Sequence, residues 1–486
     1  MSLDAIVALN RFGMGARPGD LSEVARDPRK WLRAQIESRA ALAPAMAALK
    51  SSDEIAHDIP EGLSGQDLRR SLILRGRAIY QQEVALRYAV GIGADQGLTE
   101  RLARFWSNHF TVSTTNPRVA AYAGAMEREA IRPYMTGKFE DMLLAVVRHP
   151  AMLIYLDNIQ SFGPNSPAGQ RRDRGLNENL AREILELHTL GVNGGYTQDD
   201  VIGLAKIITG WQVYAPNLPK DLPSKGAFVF LAYAHEPGDH KLLGKTYPAS
   251  RDDGQGRAAL RDIARHPSTA QFVATKLARH FIADDPPQAA VDELAAIFRE
   301  TGGDLQKVTL ALVERKEAWE VAPRKFRSPE DFVIAGMRAL SGSSTLSALA
   351  FVDAAKAMDD RLDAMSEGMS VEDYQRQLRD VNRGNDPAGA LLRTVQTLGQ
   401  YPYTAKSPAG WPDVATFWAS PDALLERLEW ASAITARIGV RMSPTELAGA
   451  VLGDRLSDET QTVLAGAASP AQGAALVLSS PEFQRR

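Results

Sequence analysis

The sequence predicts a mainly α-helical, multi-helical globular protein with one small β-hairpin or short sheet near residues 227–247. Three observations predict it. Apolar residues recur at three- and four-residue steps through most of the chain, the period of helices that each bury one face. One stretch, Ala227 to Ala234 (AFVFLAYA), has the length and composition of a strand lying between Pro and Gly clusters. The chain has 486 residues, 44% of them hydrophobic, which is enough to bury one large core or two smaller ones.

From the start, MSLDAIVALNRFGMGARPGD lacks a basic region ahead of an apolar run, and Asn10, Arg11 and Arg17 interrupt its one apolar stretch. No signal peptide is recognised, so the cytoplasm is the expected compartment, with export alongside a partner left open. Helical periods continue over residues 66–88, 99–110 and 138–156. In TERLARFWSNHF (99–110), Thr99 reads as an N-cap. Leu102, Phe105, Trp106 and His109 form an apolar stripe there, with Arg101, Arg104 and Asn108 on the opposite face. Residues 157–176 are polar, hold Gly163, Pro164, Pro167 and Gly169, and exceed the usual helix connection. GLNENLAREILELHTLG (175–191) reads as a helix of about four turns, with Asn177 as N-cap and Gly191 just past its end. A Pro- and Lys-rich segment, 214–226, leads into the strand at 227–234, whose hairpin partner is expected at 242–247. Small-residue breaks at 341–347 and 384–389 place a soft boundary near residue 340. Residues 1–340 then form a helical main domain, and 341–486 a C-terminal helical region packed on it.

Composition excludes several function classes. With no cysteine there is no disulfide, thiolate metal site or Cys nucleophile. Lys plus Arg at 56 nearly balances Asp plus Glu at 59, so no net field favours nucleic acid. No apolar window is long enough for a membrane-spanning helix, and integral membrane association is not expected. GVNGGYTQDD (191–200) lacks the Lys-Ser/Thr of a phosphate loop and Thr197 reads as a helix cap, so no nucleotide cofactor is expected. Neither G-x-S-x-G nor H-E-x-x-H occurs.

Three places carry chemistry. On the 177–190 helix, Glu178, Arg182, Glu183 and Glu186 crowd one face. They read either as an i, i+4 ion ladder supporting an exposed helix or as a cleft. In the cleft reading Glu183 and Glu186 act as acid and base and Arg182 orients them or clamps an anion. His188 falls off that face, five residues from Glu183, and reads first as a core histidine. His109, on its apolar stripe, is either a buried hydrogen-bonded imidazole or a base beside a cleft. The turn AHEPGDHKLLGK (234–245) gathers His235, Glu236, Asp239 and His240. This is the best local set of ligands for a divalent metal, though polar turns hold such residues for turn chemistry alone. His235 and, second to it, His188 are the metal-ligand candidates. Trp211, Trp411 and Trp418, in WQVY and AGWPDVATFW, read as buried anchors or as a sugar-stacking platform.

Read together, LNRFGMGARPGDL, FWSNHF, YLDN, NENLAREILELHTLGVNGGYTQDDV, ITGW, HEPG with LLGK, and the final SPEFQ resemble the bacterial family catalogued as "domain of unknown function 1800", over essentially the whole chain. The family has no accepted activity. Its pattern maps onto Asn108, His109, Asp157, Asn158, Asn177, Glu178, Arg182, Glu183, Glu186, His188 and His235, which the resemblance implies as site residues. Among them Asn108, Asp157, Asn158, Asn177 and Glu178 are the substrate-binding candidates. In HEPGDHK, position 239 or 240 departs from the family's usual Pro and Lys/Arg, which weakens both as ligands. The resemblance also implies a partner, a sulfatase-like protein encoded alongside.

Two functions are expected on these grounds. One is a helical hydrolase-type enzyme with a Glu/Arg/His cleft acting on a polymeric or glycan substrate. The other is a non-catalytic accessory or assembly protein acting with the sulfatase-like partner, its polar helix serving as an internal ion-pair network.

Overall fold

The computed structural model describes residues 3–38, 42–57, 65–172, 175–214, 224–225, 227–320, 325–341, 373, 376 and 395–486. Of the small-residue breaks expected at 341–347 and 384–389, all but Ser341 lie outside these, as do residues 215–223 and 226 of the Pro- and Lys-rich segment. The fold is mainly α-helical, as its apolar periodicity requires. Six helices carry or brace the polar side chains of interest: α1 (Gly65–Gly93), α2 (Gly97–His109), α3 (Asn179–Glu183), α4 (Pro267–Phe281), α5 (Pro329–Leu340) and α6 (Pro421–Ile438). One apolar core joins residues from Ala5 to Phe483 and takes in all six regions.

The start of the chain is stitched into that core by arginines. Leu3–Val7 runs on into a π-turn, Ala8–Phe12, and the chain then turns through Gly13 and Gly15. Arg101 Nε donates to the Gly13 carbonyl (2.7 Å) and Arg338 Nε to that of Gly15 (2.8 Å). Arg327 reaches Asn10 Oδ1 at 2.6 Å, and Arg486 pairs with Asp331 at 3.2 Å. Buried carbonyls that no helix or strand satisfies would each cost free energy, and guanidinium forks satisfy them.

The strands differ from expectation in pairing. Phe228–Phe230 (β3) lies between Trp211–Val213 (β1) and Ser224–Lys225 (β2), antiparallel to both. His240–Leu242 (β4) and Lys245–Tyr247 (β5) instead form their own hairpin, around Leu243 and Gly244 at positive φ. The expected pairing of 227–234 with 242–247 is therefore corrected. ITGW supplies the true neighbour, because Gly210 (φ +78°) turns the chain back at a point where a Cβ would meet the Leu231 carbonyl oxygen at 2.7 Å.

Two helices also depart from their expected form. α2 begins at Gly97, two residues before Thr99, and both its faces are buried: Arg101 and Arg104 are 1% and 7% exposed. The 175–191 helix is α-helical only over α3 and continues as a π-turn, Ile184–Thr189. There Leu190 N donates to Leu185 O (2.9 Å) and Thr189 Oγ1 to Ile184 O (2.5 Å), both five residues back. The expected N-cap at Asn177 is displaced by one residue: Glu178 holds that position without a side-chain bond, and Asn177, just before it, accepts from Asn179 N through Oδ1 at 2.9 Å, while Gly191 leaves the end at φ +82°.

Candidate functional site

A cavity of about 250 Å³ opens where α2, α4, the start of α5 and the loop 400–413 meet. His280, in the last turn of α4, is its chemical centre. Its Nδ1 lies 2.6 Å from Asp413 Oδ2, and since a carboxylate accepts only, the imidazole carries its proton on Nδ1. The other nitrogen, Nε2, is buried with no hydrogen-bond partner among the described residues. Burial outweighs Asp413 and lowers His280 to about 4, so the ring is a neutral base at ordinary pH. Asp413 itself sits well below the carboxylate range, because His280 and Lys325 (3.0 Å) overcome its desolvation.

The loop that carries Asp413 is held from several sides. Asn108 bonds Trp411 twice, Nδ2 donating to its carbonyl (2.9 Å) and Oδ1 accepting from its amide (2.7 Å). Gly410 (φ +81°) packs against Asn108 so closely that a Cβ would overlap the Asn108 carbonyl. Lys325 Nζ donates to the Asp413 carbonyl (2.7 Å), and Asp284 accepts from Ala415 N (2.6 Å). Trp418 is buried and donates Nε1–H to Pro412 O at 2.8 Å, while Trp411 is half-buried on the cavity wall.

Charge in the wall is almost wholly paired. Glu330 and Asp331, in the first turn of α5, take Arg87 and Arg104, and Arg101 and Arg486, respectively. Behind them Glu127 accepts from Arg87 (2.8 Å), Arg132 (2.8 Å), Ser107 (2.7 Å) and Tyr403 (2.8 Å). Tyr403 is one of three non-glycine residues at positive φ among those described (+57°), a strained conformation held by its hydroxyl at Glu127 and its carbonyl at Thr114 N. Lys276 and Arg279 of α4 line the same cavity without a carboxylate within ion-pair distance among the described residues. Burial, partly opposed by Asp413, lowers Lys276 to about 8.

Of the residues proposed from sequence, Asn108, His109, Trp411 and Trp418 line this cavity. His109 donates Nε2–H to the His188 carbonyl (3.0 Å), a group the π-turn leaves free, and is held far below its ordinary value by burial, Lys276 and His188. The others sit elsewhere. Glu178 pairs with Arg182 (2.8 Å) and both bond Gln198, while Glu186 accepts from Tyr196 OH (3.3 Å). Glu183 is half-buried and raised by desolvation and by Glu186. Asn158 donates to the Ile208 and Trp211 carbonyls (3.3 and 3.0 Å) at the edge of β1, and Asp157 stands at φ +56° and accepts from Gln160. His188 is fully buried against Phe110 and His109, and burial and Lys276 lower it to about 3. His235 donates Nδ1–H to Thr209 O (2.9 Å), with His240 as a ring neighbour. Glu236 accepts from both nitrogens of Asn165, clamping the 163–165 turn. Among the described residues no group of three or more His, Asp or Glu is placed to hold a metal ion. None of their helices is long and apolar enough to cross a membrane. His280, Asp413, Lys276 and Arg279 were not singled out from sequence.

Fold and cavity define a class: a mainly helical protein that encloses a carboxylate-oriented histidine and two cations without carboxylate partners among the described residues, between its N-terminal and C-terminal thirds. The chain belongs to the family described as "Protein of unknown function (DUF1800)", whose model matches residues 7–485. No curated protein and no solved structure matches it.

Proposed function

We propose that the chain is a hydrolase-type enzyme whose base is His280, oriented by Asp413. The 2.6 Å contact between His280 Nδ1 and Asp413, on a residue that lines the cavity and whose Nε2 is buried without a hydrogen-bond partner among the described residues, carries the reading. His280 Nε2 takes a proton from water as the water oxygen attacks the substrate. Asp413 stabilises the resulting imidazolium, and the same proton passes to the leaving oxygen as its bond breaks. His109, fixed as the Nε2–H tautomer, keeps its Nδ1 as a second acceptor in the same wall. The test is hydrolysis of p-nitrophenyl phosphate, sulfate, acetate and glycosides by the full chain, and by His280→Gln and Asp413→Asn at matched melting temperature. Loss of about 10²-fold or more in both variants is expected. A wild type inert on all four, or turnover untouched by both variants, overturns the reading.

A second reading draws on Phe417, Leu424, Leu425 and Leu428, which stay 41–55% exposed on and just before α6. An apolar strip left in water suits an accessory protein that docks a partner such as the sulfatase-like one. Leu425→Glu would then abolish co-elution of the two proteins, and unchanged co-elution removes this reading.

A further inference from the structure

We propose that Lys276 and Arg279 bind a tetrahedral oxyanion, so that the substrate of the cavity is a phosphate or sulfate ester; this rests on the hydrolase reading above. The balance of charge inside the cavity points to it. Arg87, Arg104 and Arg486 are each neutralised by Glu330 or Asp331, and Asp413 is engaged by His280 and Lys325. Lys276 and Arg279 alone among the lining cations lack a carboxylate among the described residues. Among the described residues Arg279 donates only Nε–H, to the Asp284 carbonyl (3.1 Å), leaving the fork of its guanidinium unspent there.

A basic residue in the last turn of a helix ordinarily answers the helix dipole, which accounts for Arg279. It does not account for Lys276, one turn earlier and in the cavity wall beside neutral His109 and His188. The i, i+3 spacing places the two cations side by side on one face of α4. An ammonium and a guanidinium so placed complement an oxyanion with several acceptor oxygens. The same pair sits on the helix that carries His280, one residue beyond Arg279, so a bound ester would present its reacting atom to the base.

Asp413 from the facing loop and Arg279 on its own helix act on Lys276, whose ammonium lies 5.5 Å over the Phe272 ring one turn back and beside the neutral rings of His109 from α2 and His188 from the π-turn. A bound anion adds the missing negative charge and favours the protonated amine. Affinity therefore falls as pH rises past about 8, where the free amine loses its proton. Sulfate, which does not titrate in this range, is the probe.

Calorimetric titration of the full chain with sulfate, and with inorganic phosphate, is the test. Binding weakening from pH 7 to pH 9 is expected, with about tenfold or greater loss in Lys276→Met and in Arg279→Gln at unchanged melting temperature. Lys276→Arg keeps its affinity at pH 9. No binding of either anion to the wild type, or binding indifferent to both removals, overturns the proposal. His280→Gln separates the two ideas, because it retains sulfate binding while losing turnover. Hydrolysis of neutral esters that sulfate does not inhibit sinks the oxyanion site and leaves the base standing; sulfate binding without hydrolysis does the reverse.

Discussion

At the scale of single residues, the amides of this protein act as splints for backbone. Asn108 is the sharpest case, since its two bonds to Trp411 imitate one rung of a β-ladder and fix the loop that ends in Asp413. Truncation leaves a partly buried amide and carbonyl without partners, costing roughly 1–3 kcal/mol. Asn108→Ala is therefore expected to lower the unfolding free energy by about that amount in urea titration, and to reduce turnover further than it reduces substrate affinity, because Asp413 loses its register against His280. Asn108→Asp keeps the acceptor for Trp411 N and loses the donor, so it should fall between wild type and Ala. Equal stability of all three proteins would refute the splint. The pH dependence of kcat/KM belongs to the same scale. His280 must be neutral to accept a proton, so activity should fall as pH drops through about 4, and Lys276 must be charged to hold an anion, so it should fall again above about 8.

At the scale of elements, apolar periodicity made the helical class legible, and glycine and cap chemistry marked two helix ends while misplacing the starts at Thr99 and Asn177. Thr197 caps its helix as expected, in a reciprocal capping box with Asp200, and Gly191 leaves its helix with positive φ. Periodicity could not show that Ile184–Thr189 is a π-turn, because inserting one residue per turn alters the hydrogen-bond step without changing which residues are apolar. Nor could it reveal His280 with Asp413, 133 positions apart in sequence, one reading as a helix-end cation and the other as a turn residue. FWSNHF and AGWPDVATFW did contain the cavity's walls, but nothing in either string says that they meet. A close approach of the same kind joins Gly203, in the helix Gln198–Ile207, to β4. A Cβ there would overlap the Lys241 carbonyl oxygen, a backbone atom that cannot swing away. Gly203→Ala should thus destabilise the fold by roughly 1–3 kcal/mol despite alanine's better helix propensity. A gain in melting temperature would show that the hairpin is free to shift.

At the scale of the whole molecule, ion pairs do for the two ends of the chain what the apolar core alone leaves unspecified. Glu127 stands in a π-turn, yet it gathers Arg87 from α1, Ser107 from α2, Arg132 from the turn after its own, and Tyr403 from the C-terminal third. It is 2% exposed, and Arg87, Arg132 and Arg104 hold it ionised against desolvation, far below the usual carboxylate range. Such a cluster contributes little net stability compared with a well-packed apolar replacement, because desolvating so many charges offsets their attraction. Removing one member is another matter, since the remaining guanidiniums stay buried without their counter-charge. Glu127→Gln keeps the shape and two hydrogen-bonding groups but deletes the charge, and should cost about 3–5 kcal/mol. Because Tyr403 and the cavity wall hang on the same carboxylate, the loss should appear in two measurements at once: a lower urea midpoint for the whole chain, and weaker sulfate binding in the protein that remains folded. If the midpoint falls while sulfate affinity is untouched, Glu127 joins the two ends without shaping the cavity, and the wall owes its geometry to Asn108, Lys325 and Asp284 alone.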